Sequence, residues 1–155
     1  MWLLVVFLSL GGGIREVSAQ IRQPVPLEVE IQAPPMVRLT LSPNQITFPD
    51  ADPEATPEIP ATENPVRVLI LVRATTLVLL ARATTQLTSG LDKIDITNVS
   101  WTASGSGFLN GSLRYQQDVE VGKWLHPPNR LQGALTFLLR NRWNYPVGNY
   151  TATVI

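Results

Sequence analysis

The chain has no cysteine, one histidine and only 15% charged residues, with 12 basic side chains balanced by 12 acidic ones. Each shortage removes a class of function. Without thiols there is no disulfide framework, no thiolate nucleophile and no zinc site built on sulfur. A lone histidine, His126, leaves no histidine pair for a metal and little scope for a Ser-His-Asp arrangement. Zero net charge argues against nucleic acid, whose binding proteins neutralise phosphates with clustered Lys and Arg. What remains is apolar bulk, 45% of 155 residues, which suits one domain around one core.

Residues 1–19 read as a secretory signal. Trp2 to Leu10 is an apolar run interrupted only by Ser9; Gly11 to Gly13 follow, and Val17-Ser18-Ala19 supplies small residues before Gln20. The run is too short to span a bilayer, which takes ~20 apolar residues. The region before it has no Lys or Arg, so a short N-terminal anchor is the rival reading. Cleavage after Ala19 would leave a chain with no transmembrane span, secreted, periplasmic or at the cell surface. Export without disulfides suits a bacterial host.

Ten of the 13 prolines fall between Pro24 and Pro65, and none follows until Pro127. Helix is excluded from that stretch, because an interior proline costs ~3 kcal/mol and restricts its predecessor. Val25, Leu27, Val29 and Ile31 alternate with polar residues and Pro26, placing four apolar side chains on one face of a strand in the segment 20–35. Val37, Leu39 and Leu41 repeat the pattern, Ile46 to Phe48 makes a short strand, and 49–64 reads as a loop. From Val66 to Val72 the apolar, β-branched run predicts a strand buried on both faces. Ala74-Thr75-Thr76 then suits an antiparallel hairpin into Leu77 to Ala81. One buried helix over about 66–87 is the competing reading, disfavoured by the β-branched content and threonine pairs. Arg73-Ala74-Thr75-Thr76 recurs as Arg82-Ala83-Thr84-Thr85, too few copies for a repeat architecture.

The second half alternates short strands with turn clusters. Ile94 to Ala103, Val119 to Val121, Leu131 to Leu139 and Asn149 to Ile155 are the expected strands, and Asn110-Gly111 is a type I′ hairpin signal. The pattern predicts an all-β, antiparallel β-sandwich of about seven to nine strands over residues 36–155.

Leu41-Ser42-Pro43, Ile46-Thr47-Phe48, Asn98-Val99-Ser100-Trp101 and the closing Trp143-Asn144-Tyr145-Pro146-Val147-Gly148-Asn149-Tyr150-Thr151-Ala152-Thr153-Val154 give this order a resemblance to bacterial secreted immunoglobulin-like domains. The resemblance implies a surface adhesin module, a pilus-type subunit or a module appended to a polysaccharide enzyme. Pilus-type subunits of the chaperone–usher kind usually carry a cysteine pair, and this chain departs from them there.

Few residues suggest chemistry. Asp50, Asp52 and Glu54 form a D-x-D-x-E run with the oxygen ligands calcium prefers, but the glycine and terminal glutamate of a calcium loop are missing and a solvated acidic loop explains the run. Asp92 and Asp95 read as turn residues. His126, in an extended Leu125-His126-Pro127-Pro128 stretch, has no recognisable nucleophile to serve, so it reads as a surface-loop residue. No catalytic residue or cofactor is expected, and an enzyme is the least favoured reading. The sequons at Asn98, Asn110 and Asn149 are ascribed to chance. Trp101 reads as core; Trp124, Trp143 and Tyr145 lie near turns and, if exposed, suit stacking on sugar rings.

The expected function is a non-catalytic structural or adhesive surface protein that works by strand pairing and self-association, through Val25, Leu27, Val29 and Ile31, with itself or another surface protein as partner. The alternative is a carbohydrate-binding module for a polysaccharide. Charge supports association: residues 20–66 carry two basic and seven acidic groups, and 67–155 carry nine basic and four acidic. Opposed segments of this kind steer encounters.

Overall fold

The computed structural model describes residues 33–155. The candidate signal and the strand Val25, Leu27, Val29 and Ile31 lie outside the described residues. Among those described, secondary structure is all β apart from one 3-10 turn, and every strand-to-strand ladder is antiparallel. No helix among them is long and apolar enough to cross a membrane.

The strands are β1 (Met36–Ser42), β2 (Glu58–Pro60), β3 (Val66–Arg73), β4 (Thr76–Ala81), β5 (Leu87–Ser89), β6 (Asp92–Ile94), β7 (Val99–Ser104), β8 (Gly111–Ser112), β9 (Val119–Leu125) and β10 (Arg130–Arg140). The main sheet has the order β1-β3-β10-β7-β8, with β2 pairing the far end of β10; β4 pairs β9, and β5 pairs β6. Apolar side chains from these sheets meet in one core. Val68, Ile70 and Val72 of β3, Val99 and Trp101 of β7, Val121 and Trp124 of β9, and Leu131 and Leu135 of β10 all join it.

Period two explains β3. Val66, Val68, Ile70 and Val72 point into the core and are buried, whereas Arg67, Leu71 and Arg73 on the opposite face are exposed. The expectation of a strand buried on both faces is therefore corrected: no second layer covers the outer face among the described residues, and the arginines mark that side. The expected hairpin between β3 and β4 is corrected too. The two strands do not pair; Ala74 and Thr75 carry the chain from the main sheet to the smaller one, where β4 joins β9. The repeated Arg-Ala-Thr-Thr is a connection at its first occurrence. At its second it lies between neighbours: Ala83 N–H donates to Arg114 O, while Arg82 and Thr84 N–H donate to Ile155 and Thr153 O.

Three further corrections have local causes. Asn110-Gly111 is no turn: β7 bends back through Gly105 and Gly107, both at positive φ, and Asn110 Oδ1 accepts from Ala103 N–H at 2.7 Å, closing a backbone donor that its neighbouring strand misses. The strand expected over Ile94–Ala103 is interrupted by the turn Ile96–Asn98, which Asp95 caps by accepting from Thr97 N–H at 2.9 Å. Ile46–Phe48 forms no strand, while the expected loop 49–64 contains β2, whose Ile59 is buried. The C-terminal segment does run in extended form, hydrogen-bonded along residues 82–88.

No polar or charged residue is buried among those described. With no disulfide, the core depends on apolar contact alone, and Ile70, at 1% exposure, is one of its largest fully buried members. Ile70→Ala should destabilise the domain by about 3–4 kcal/mol, read as a lower urea midpoint at unchanged slope.

Candidate functional site

β1 is the feature of the described residues that asks for a partner. It ends the main sheet's strand order, paired with β3 on one side and, among the described residues, with nothing on the other. Its register with β3 is unbroken over seven pairs, from Met36↔Arg73 to Ser42↔Arg67. Val37 lies opposite Val72, Leu39 opposite Ile70 and Leu41 opposite Val68, so these three share the core-facing side of the sheet. Their β3 partners are buried, yet Val37, Leu39 and Leu41 remain 52%, 45% and 43% exposed. The core runs out one strand before the sheet does.

An edge of this kind presents a row of unpaired N–H and C=O groups beside apolar side chains, and natural sheets usually blunt it with a charge turned inward, a proline or a bulge. β1 has none of these within its length. Arg38, its one charge, faces outward with Leu71 of β3. The prolines stand outside it, at Pro34 and Pro35 before and Pro43 after, and fix the edge at seven residues. The opposite end of the same sheet is β8, two residues long, which leaves little to pair with.

The aromatic candidates are not brought together. Trp124, expected near a turn and available for stacking, is 7% exposed and belongs to the core. Its ring meets Phe108 edge-on at 4.9 Å, and its indole Nε1–H donates to Ser106 O at 2.8 Å, which satisfies its one polar atom. The glycines around it explain the fit: a Cβ on Gly107 or Gly122 would collide with the indole. Tyr145 is half-buried against the core, and its hydroxyl donates to Arg140 O at 2.8 Å. Burial pushes its phenol above the usual range. Trp143 alone is open, at 70%. Trp101 is buried as expected, its Nε1–H donating to Leu109 O at 2.8 Å.

The acidic run is shaped by its own loop. Asp52 Oδ1 accepts from Glu54 N–H at 2.9 Å and Asp52 O accepts from Thr56 N–H at 2.8 Å, while Asn141 Nδ2 ties the loop to the end of β10 through Ala51 O and Thr56 O. Among the described residues no three His, Asp or Glu groups are placed to hold a metal ion. His126 is exposed, with its N–H donating to Thr75 O at 2.8 Å. Its φ of 51° corrects the extended backbone expected there: the residue closes the turn between β9 and the prolines in the left-handed region. An open depression of about 610 Å³ lies at the end of β10 between Thr56, Glu58, Arg140 and Arg142.

The β1 edge escaped sequence reasoning because Val37, Leu39 and Leu41 show the same alternation as any half-buried strand. What separates them is the sheet order, which composition does not encode. Comparison with protein-family models, with curated proteins and with solved structures finds no match for the chain.

Two carboxyls couple the stability of the fold to pH. Glu63 accepts from Thr47 N–H at 2.6 Å, and that bond holds its pKa below 4.5. Asp118 is held below its ordinary 3.8 by the Arg82 guanidinium, bonded at 2.7 and 2.8 Å. A carboxyl lowered by folding contributes stability above its unfolded pKa and loses it as pH falls through the folded one. The melting temperature should therefore drop from about pH 5 downward, and in Glu63→Gln that drop should be smaller, as measured by thermal scans across pH.

Proposed function

We propose that this protein is a non-catalytic structural or adhesive surface protein, built as an immunoglobulin-like sandwich, that associates by adding a strand to the β1 edge. The observation that carries the reading is an edge left unpaired among the described residues, whose core-facing side chains stay half-exposed beside buried partners. A strand laid there would pair the free backbone groups of β1 and extend the apolar layer over Val37, Leu39 and Leu41, gaining about 1 kcal/mol per side chain. The occupant we propose is the segment Val25, Leu27, Val29 and Ile31 of a second copy. Its period of two matches that of β1, so its four apolar side chains would all fall on the side that needs cover. Docking in this way is heterologous, with one surface of each copy meeting a different surface of the next, and such contacts lead to open chains unless the rotation closes.

The reading that rested on Trp124, Trp143 and Tyr145 as a stacking platform for sugar loses its geometry, because one ring is in the core and a second is half-buried with its hydroxyl engaged. Sedimentation velocity of the chain from Gln20 should show oligomers that grow with concentration. Removal of residues 20–32, and separately Leu39→Lys, should each give a folded monomer. A monomer throughout, or a deletion that unfolds the domain and so shows the segment to be part of its own core, would overturn the proposal.

A further inference from the structure

The outer face of the main sheet carries an unusual set of charges. β1, β3, β7 and β10 together contain five arginines, no lysine and no acidic residue. The registers put all five, Arg38, Arg67, Arg73, Arg130 and Arg140, on the face opposite the core, and all are exposed. Arg140 lies opposite Glu58 of β2, which balances it. The other four have no carboxylate on the strands around them, and the ion pair among the described residues, Arg82–Asp118, is elsewhere.

These four are organised in rows. Met36 and Arg73 form the first row; Arg38, Leu71 and Arg130 the second; Thr40, Leu69 and Gln132 the third; Ser42, Arg67, Ala134 and Ser104 the fourth. Strands lie about 4.8 Å apart and alternate residues about 7 Å apart, so Arg38 and Arg130 stand roughly 10 Å from each other across β3, with Arg73 one row away. Arg73 Nε donates to Pro34 O at 3.0 Å, which anchors the side chain and leaves its terminal nitrogens free of that bond.

We propose that this face binds an anionic polysaccharide, one bearing carboxylate or sulfate groups along its length. Guanidinium groups grip such oxyanions in pairs of parallel hydrogen bonds, and lysine does not. The face is an open sheet surface several strands wide, which suits an extended polymer better than a small ligand, and the row between the charged rows offers the Thr40 hydroxyl and the Gln132 amide to sugar hydroxyls. Other polyanions fit less well. The strands of this face present no aromatic ring on which bases of a single strand would stack, and a sheet several strands wide cannot enter a duplex groove to read it. Asp52, Glu58 and Glu63 of a second copy are poorly placed to compete, because Asp52 and Glu63 already accept backbone hydrogen bonds and Glu58 faces Arg140.

Titration of the chain from Gln20 with alginate, dextran sulfate and neutral dextran tests this by calorimetry at low and high salt. Binding to the two charged polymers, weakening as salt rises, and none to dextran are expected. Arg73→Glu with Arg130→Glu should weaken alginate binding at least about tenfold, the loss of one or more charge-assisted contacts, at an unchanged melting temperature. Lys123→Glu on β9, which makes a smaller change in net charge away from this sheet, should leave affinity within about twofold. If the double variant fails to fold, Arg38→Gln with Arg67→Gln replaces it. Equal binding of dextran, an equal loss in Lys123→Glu, retained affinity in the arginine variants, or tighter binding to anionic phospholipid vesicles or duplex DNA would each overturn the proposal.

Discussion

Strand β10 is the constraint on which the rest of the architecture depends. It is the central strand of its sheet, pairing with β3 and then β2 along one edge and with β7, over Ala134 to Leu139, along the other. Because its hydrogen bonds are committed on both sides, its side chains have only two directions to take. Leu131, Leu135 and the half-buried Phe137 and Leu139 go inward, and Arg130, Gln132, Ala134 and Thr136 go outward. Every neighbour inherits that division through its register. The core thus forms against β10 and thins with distance from it, which is why β3, one strand away, buries its inner face while β1, two strands away, does not.

Much of this was legible in the residues. The alternation of β1, the β-branched run of β3 and the Val119 to Val121 and Leu131 to Leu139 strands all follow from period two. Among the described residues the structure is all β, with antiparallel sheets where those patterns stand. What could not be read was partnership. Thr75 and Thr76 look like a hairpin turn because nothing local says that β4 pairs with β9, some 40 residues further on, instead of with β3. Asn110-Gly111 has the dihedral freedom for a tight turn, yet the glycine is needed because Trp101 leaves no space for a Cβ there, and the asparagine because Ala103 N–H lacks a ladder partner.

The tryptophans show the same limit. Trp101 and Trp124 each have one indole N–H to satisfy, and each finds a backbone carbonyl in the Gly105–Asn110 bend, Leu109 O and Ser106 O. That bend is folded around the rings, with Phe108 set edge-on to Trp124. Proximity to a turn suggested exposure for Trp124, but the turn is what buries it. Trp143, with no such bend over it, stays open. A polar tip on a large ring is compatible with either outcome, and only the path of the distant loop decides.

Edge and face meet on β1, and period two ties them together. Residues 37, 39 and 41 give the edge its apolar side; residue 38 gives the outer face one of its four unbalanced arginines. A strand that lays its apolar positions beside Val37, Leu39 and Leu41 must lay its remaining positions on the arginine side. In the segment proposed for that place those positions include Glu28 and Glu30. Carboxylates at that spacing would approach Arg38 at cross-strand distance, where opposite charges attract by roughly 0.2–1 kcal/mol. They would also reduce the positive field of the face by two charges out of four. Association and polyanion binding would then oppose each other through a single strand, without any conformational change to link them.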